Sequence, residues 1–400
     1  MDNIFSGNFT QQEPIPDESI AAAVAVMQHG RLHRYNEAEG EVSEAALLEQ
    51  EFAELIEAKY CLAVASGGYA LATALRAIGV KQGDKVLTNA FTLAPVPGAI
   101  ASVGAVPVFV GVTEGLVIDL NDLAAKADQA DVLMLSHMRG HIVDMDKLMM
   151  LAKAHDLLVI EDCAHTMGAK WGNNWSGRSG VVGCFSCQTY KHVNSGEGGL
   201  LVCDDDDIMA RAIVLSGSYM IYEKHRAGPP LEAFEGVRLV TPNISGRMDN
   251  LRAAILRPQL RRLESQCLAW NDRYHVIDGS LKQLAGLTRV ERPEQEKFVA
   301  SSYQFLLLDW SDLAIKNVME RCFERGVELK WFGAAATVGF TSRYDSWTYA
   351  PSAPMPESDR ILHGIMDMRV PLTFSLEDCA FVAKIISEEV TRVFEDADVI

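Results

Sequence analysis

The chain has 400 residues, 48% of them hydrophobic, enough to bury a large core and to suggest one large domain with a smaller one. Its 36 basic and 54 acidic residues leave a formal charge of −18, so a broad electrostatic surface for nucleic acid is not expected. An anionic ligand would need a local site built from helix N-termini or a few placed cations.

The opening MDNIFSGNFTQQEPIPDE lacks a basic region followed by an apolar core, and no apolar run reaches bilayer length, so a cytoplasmic protein without membrane contact is expected. EAALLEQEFAELIE has apolar residues at helical spacing; CLAVAS then reads as a strand that stops at Ser66-Gly67-Gly68, and YALATALRAIGV resumes as a helix. A strand running into a glycine turn that opens a helix is where backbone N–H groups can hold a phosphate. KVLTNAF, AVPVFVGV, DVLMLSH and LLVIEDCAH read as further short strands, separated by helical stretches near residues 94–103, at DLNDLAAKA and at DMDKLMMLAKAHD. This alternation predicts an α/β fold with a mostly parallel sheet covered on both faces. Functional groups then belong at the strand ends, where Ser66, Phe91, His137 and Asp162 stand.

VVGCFSCQT and GGLLVCD add two strands that flank Lys191. CDDDDIMARAIVLSG reads as a capped helix whose acidic run suits the positive N-terminal dipole, in preference to a metal site. Residues 219–242 lack a clear period and form a long loop. A long helical pattern follows from RMDNLRAAILRPQLRRLESQ onward, with a kink expected at Pro258. SSYQFLLLDW, a helix near 313–325, VELKW and a terminal helix from Leu376 then suggest a smaller C-terminal α+β domain. The expected division is an N-terminal arm and large domain over 1–264, and the small domain over 265–400. The loop 219–242 and the region 332–371 are expected to shape the substrate pocket.

The eight cysteines lie mostly within apolar segments and suit reduced thiols. Cys184 and Cys187 form a C-x-x-C without a second pair or a thioredoxin-like context, so the structural reading is preferred. His137, His141, Asp144 and Asp146 resemble metal ligands in type, but no compact spacing recurs, and strand-end and helix-cap roles are expected with no metal site.

Lys191 stands out in FSCQTYKHVNSGEGG, between a strand and a glycine-rich turn. With the acid that ends LLVIED and the phosphate-suited turn at Ser66-Gly67-Gly68, it fits pyridoxal 5'-phosphate. A carboxylate about 4 Å from a protonated pyridine nitrogen contributes about 4 kcal/mol at an effective dielectric of about 20. That charge makes the ring an electron sink. A desolvated lysine has a lowered pKa, so it can attack as a free amine and later move protons. Phe91 could stack on one ring face, and His165 could cover the other or hydrogen-bond the phenolic oxygen. Arg139, in HMRGH, is a candidate contact for a substrate carboxylate or phosphate, with a surface or interface ion pair as the alternative. Glu197 is read as a turn or interface residue.

The ordered blocks EVSEAALLEQEFAELIEAKYCLAVASGGYALATALRAIGVKQGDKVLTNAFT, GAVPVFV, HMRGHIVDMDKL, VIEDCAHTMGA, CFSCQTYKHVNSGEGGLLV and RMDNLRAAILRPQLRRL resemble the DegT/DnrJ/EryC1/StrS family, fold-type-I pyridoxal-phosphate aminotransferases. They cover roughly residues 30–264. The resemblance implies that Lys191 is the Schiff-base lysine, Asp162 the partner of the pyridine nitrogen and His165 a residue against the ring. Ser66, Gly67, Gly68 and Ser186 match phosphate-holding positions, and Phe91 matches the stacking aromatic. It also implies a homodimer whose active sites are completed by the neighbouring subunit. Three departures stand out: Gly68 replaces a threonine, Ser245 replaces an asparagine that reaches the partner's phosphate, with Asn243 nearby but out of register, and Gly111 replaces an aspartate. Some relatives carry histidine in place of the lysine and are dehydratases; here Lys191 holds that position and His192 follows it.

The function expected is amino transfer from glutamate or glutamine, through pyridoxamine 5'-phosphate, to a keto sugar nucleotide, a cyclitol or another small ketone of secondary metabolism such as antibiotic biosynthesis. Elimination or cyclisation at an amino acid with the same cofactor is the first alternative, and a non-catalytic regulatory relative the second.

Overall fold

The computed structural model describes residues 4–396. Seven strands form the large sheet: β1 Tyr60–Val64, β2 Lys85–Asn89, β3 Val106–Val110, β4 Val132–Ser136, β5 Leu158–Asp162, β6 Val182–Ser186 and β7 Gly199–Cys203. Their spatial order is β1-β7-β6-β5-β4-β2-β3. The pairings from β3 through β6 are parallel, and β7 runs against both its neighbours. Strands β1, β4, β6 and β7 are buried along their whole length, which is why their sequences are apolar without alternation.

Each face of the sheet has its own core. On one side the helices Gly67–Ala77, Pro95–Ser102 and Asp206–Ser216 bury Leu71, Ile100 and Ile213 among strand residues. On the other, Glu44–Leu55, Met145–Ala154 and Asn250–Leu260 bury Phe52, Leu148 and Leu256. The helix from Asp206 is capped by Asp205, whose carboxylate accepts from the Ile208 N–H, so the acidic run acts as a cap.

The long helix expected after Arg247 is two helices, Asn250–Leu260 and Leu263–Leu281. Pro258 lies inside the first, and the break falls three residues later at Arg261 and Arg262. A second sheet, all antiparallel, runs in the order Thr288–Arg289, Ser302–Leu306, Ile365–Arg369, Lys330–Trp331. Helices Leu263–Leu281, Asp312–Glu324 and Leu376–Glu395 cover it with Ile277, Ile315 and Ile386. The strand Ile365–Arg369 escapes sequence reading because Asp367 interrupts its apolar pattern; that carboxylate is fully buried and paired by Arg139 and Gln304.

The N-terminal arm inserts Phe5 and Phe9 into this second core, where both rings meet Phe374 edge-on at 4.9 Å. Among the described residues no helix is long and apolar enough to cross a membrane.

Candidate active site

The ends of β1, β4, β5 and β6 open onto one cavity of about 500 Å³. Ser66, Ser136, Asp162 and Ser186 reach it from the sheet, Lys191 from the following turn, and Arg369 from the end of the second sheet's strand. The site therefore lies where the two cores meet.

Asp162 is positioned by strand alternation, which sends it and Glu161 to opposite faces. Glu161 locks the strand end: it accepts from the N–H groups of Gly177, Ser179 and Gly180 and pairs with His137 at 3.0 Å. Burial pushes the Glu161 carboxyl up, but His137 and these N–H groups outweigh it and hold it below its ordinary value. Asp162 accepts from the Ser136 hydroxyl and from the Ala164 N–H, both at 3.1 Å. Burial raises its pKa, against the pull of the Ala164 N–H, Lys191 and Ser136. It is a carboxylate poorly compensated within the chain and suited to an incoming cation.

Lys191 Nζ shares a hydrogen bond of 3.1 Å with His165 Nε2. Burial, reinforced by Arg139 and Arg369 and opposed by Asp162, brings its amine down to about 7. Burial, then Lys191, Arg139, His192 and Arg369, hold His165 well below its ordinary value, so it is a neutral imidazole. His192 also borders the cavity, but its ring is tied to the Met167 carbonyl at 2.9 Å and to Ser301 at 3.2 Å. Its pKa falls to about 4, burial being the main cause.

The helix Gly67–Ala77 begins at the cavity wall, and its cap Ser66 accepts from the Tyr69 N–H at 3.1 Å. A Cβ on Gly67 would fall 2.8 Å from Ser186 Cβ, so only glycine lets the turn approach β6. Gly68 is different: a Cβ there would meet nothing closer than Pro95 at 3.8 Å. The helix N-terminus, Ser186, the buried Asp162 and the half-buried Lys191 together make a chemically sound cradle for pyridoxal 5'-phosphate.

Phe91 is corrected by the structure. It is 1% exposed, contributes nothing to the cavity wall and packs edge-on against Phe332 at 5.2 Å. The residue that reaches the cavity from this loop is Leu93, two positions on. The chain turns after Asn89, whose amide donates to the carbonyls of Phe91 and Ser136 and so directs Phe91 into the core. The loop 219–242 likewise lines none of its own chain's cavity, whereas Gly339, Phe340 and Ser342 of the region 332–371 do. Asn243 and Ser245 are exposed and outside that wall; Ser245 lies 3.3 Å from Arg247, which donates to the Gly217 carbonyl.

Arg139 lines the cavity and makes an ion pair, 2.8 Å to Asp367, that is buried inside the chain and not at the surface. His141 pairs with Gln304, Asp144 caps the helix Met145–Ala154, and Asp146 accepts from the Trp171 indole. His137, Glu161 and Cys163 converge within 4.8 Å, but the Glu161 oxygens are already occupied by donors. All eight cysteines are free and buried.

The sequence pattern of the DegT/DnrJ/EryC1/StrS aminotransferase family matches residues 14–387. The chain belongs to that family. It is accordingly an aminotransferase of the pyridoxal-phosphate class with the fold-type-I architecture. Among relatives, a Micromonospora echinospora protein provisionally assigned as L-glutamine:3-amino-2,3-dideoxy-scyllo-inosose aminotransferase is 32% identical over 295 residues, 71% of this chain and 68% of that protein. GDP-perosamine synthase of Escherichia coli O157:H7 is 34% identical over 252 residues, 62% of this chain and 65% of the relative. The crystal structure of 3-amino-5-hydroxybenzoic acid synthase superimposes with a TM-score of 0.81 at 23% identity, over 97% of this chain and 100% of the other, a likeness of fold.

Proposed function

We propose that this aminotransferase takes an amino group from glutamine or glutamate and passes it to a ketone on a sugar nucleotide, a cyclitol or a related small ring. The observation that carries the chemistry is Lys191: an amine brought to about 7 inside a cavity that also holds the buried carboxylate of Asp162. The substrate class rests on the family relatives that act on keto-cyclitols and on a GDP-sugar.

When bound, the cofactor supplies the electron sink that lets a proton leave the amino-bearing carbon. Lys191 would hold the cofactor's aldehyde and then carry that proton on Nζ. Asp162 would keep the ring nitrogen charged, with the Ser136 hydroxyl and the Ala164 N–H fixing its plane. Ser66, Gly67, Gly68 and Ser186 would hold the phosphate, His165 would sit against the ring, and Leu93 takes the place read for Phe91. We assign the protein to the cytoplasm, which suits eight free thiols, and to a homodimer. In it Asn243 or Ser245, exposed on one subunit, would complete the phosphate site of the other. We keep the division near residue 264 as the boundary between cofactor-binding and smaller domains.

The test is isotopic. With amino-labelled 15N glutamine or glutamate and a panel of keto-cyclitols and keto sugar nucleotides, the label should appear in one amine product. Product formed from an amino acid without any keto acceptor would instead establish elimination or cyclisation.

A further inference from the structure

Tyr69 is the third residue of the helix Gly67–Ala77, half-buried and outside the cavity wall that Ser66, Gly67 and Gly68 form just before it. Its two ends serve different parts of the molecule. The backbone N–H donates to the Ser66 hydroxyl at 3.1 Å and closes the turn. The phenol hydroxyl donates to the Ile244 carbonyl at 2.6 Å, with the Leu215 carbonyl 3.1 Å from the same oxygen. Burial raises the phenol pKa, so the hydroxyl keeps the proton it donates. Between the two ends the ring lies on Gly246, where a Cβ would overlap its carbons.

The segment that Tyr69 grips is itself anchored. Residues 246–248 run along the outer edge of β1: the Ala65 N–H donates to the Gly246 carbonyl at 2.7 Å, the Met248 N–H to the Ala63 carbonyl at 3.3 Å, and Val64 bridges to Arg247. The Ile244 and Gly246 N–H groups donate at 2.9 and 3.0 Å to the Leu215 and Ser216 carbonyls, which end the helix Asp206–Ser216. Backbone bonds thus fix this segment on two sides, and Tyr69 ties it to the turn. The turn needs such a tie. Its N–H groups at Gly67 and Gly68 have no acceptor within their own helix, which leaves them for an anion, but two consecutive glycines bring no side chains to hold those N–H groups in place. The nearest restraints in sequence are the Ser66 cap and the Tyr69 side chain.

We propose that Tyr69 is a positioning residue for the cofactor's phosphate: it fixes the N–H groups of Gly67 and Gly68 by tying the start of their helix to the segment 244–248. The proposal rests on the reading of this turn as the phosphate cradle. Asn243 and Ser245 flank Ile244, whose carbonyl Tyr69 holds, so the same hydroxyl orders the residues assigned above to the neighbouring subunit's phosphate.

Absorbance titrations of cofactor-free protein with pyridoxal 5'-phosphate and with pyridoxal, which lacks the phosphate, read the role. Tyr69→Phe keeps the ring on Gly246 and removes only the hydroxyl. It should weaken pyridoxal 5'-phosphate by about 2- to 10-fold, the worth of one hydrogen bond, and leave pyridoxal unchanged. Gly246→Ala displaces the ring and should weaken pyridoxal 5'-phosphate at least as much, again without a change for pyridoxal. Pyridoxal 5'-phosphate affinity unchanged in Tyr69→Phe, or both ligands weakened in proportion as a purely structural role would have it, would overturn the proposal. Tyr69→Phe decides the matter even if Gly246→Ala fails to fold. A wild type that binds pyridoxal 5'-phosphate no better than pyridoxal would be a distinct failure, overturning the cradle reading itself and the proposal with it.

Discussion

Lys191 Nζ and His165 Nε2 lie 3.1 Å apart, and both groups are held toward their neutral forms by burial and by the charges of Arg139 and Arg369. An amine in this state is a nucleophile at neutral pH, where an ordinary lysine is almost wholly protonated. The rate of cofactor uptake should therefore rise with pH as the amine deprotonates through about 7 and level off above it. Stopped-flow mixing with pyridoxal 5'-phosphate between pH 6 and 9 measures this. A rate still climbing steeply at pH 9 would show that the lysine keeps its ordinary pKa.

The same shift has a thermodynamic side. Because the folded pKa lies below the unfolded one, protonated Lys191 destabilises the cofactor-free fold, fully below about 7 and less as pH rises toward the unfolded value. Lys191→Met should therefore stabilise cofactor-free protein at pH 7, with a gain that fades toward pH 10. Melting temperatures of the two proteins across that range check it.

Asp162→Asn should have opposite effects on the two forms of the protein. Burial raises the Asp162 pKa, so its ionised form costs stability as pH rises through the folded pKa, and asparagine removes that cost. Cofactor-free variant should melt higher at neutral pH. Turnover should fall by about three orders of magnitude, the equivalent of losing about 4 kcal/mol of charge pairing to the ring nitrogen. Steady-state rates and melting curves read the two effects independently.

Leu93 and Phe91 should separate function from packing. Phe91→Ala removes a ring buried against Phe332 and should cost about 3–5 kcal/mol of stability. Leu93→Phe places a ring in the cavity and should tighten cofactor by about 2- to 10-fold, the range of aromatic pair energies. Denaturant melts and cofactor titrations distinguish the pair.

The two glycines of the turn should also diverge. Gly67→Ala forces a Cβ to 2.8 Å from Ser186 Cβ and should cost about 1–3 kcal/mol and weaken phosphate binding. Gly68→Thr has room and returns a hydroxyl to the helix N-terminus, so cofactor affinity should rise. Equilibrium dialysis of pyridoxal 5'-phosphate compares them.

Much of this site is legible in the sequence, and the reason is geometric. Ser66, Asp162, Ser186 and Lys191 lie at or just after the ends of parallel strands, and parallel β/α crossovers deliver those ends to one edge. The errors arise where side-chain direction is set by tertiary contacts. Phe91 and Leu93 are two residues apart in a loop, and contacts from elsewhere in the fold, the Asn89 amide on the Phe91 carbonyl and the Phe332 ring against Phe91, accompany the placement of Phe91 in the core. Arg369 is hidden for another reason: its strand, interrupted by Asp367, looks polar until Arg139 arrives from far along the chain to pair it. The N-terminal arm carries no period that points to the second core, and its two phenylalanines find Phe374 only in three dimensions.

The most direct test of the central claim is the visible spectrum of cofactor-loaded protein during a single turnover with glutamine or glutamate, beside Lys191→Ala. The account predicts a cofactor band in the wild type that disappears on adding the donor with stoichiometric release of the keto acid, and at least a 1000-fold slower change, by about the contribution of a lost acid–base group, in the variant. A band that survives every amino acid, or an equally fast change in Lys191→Ala, would contradict it.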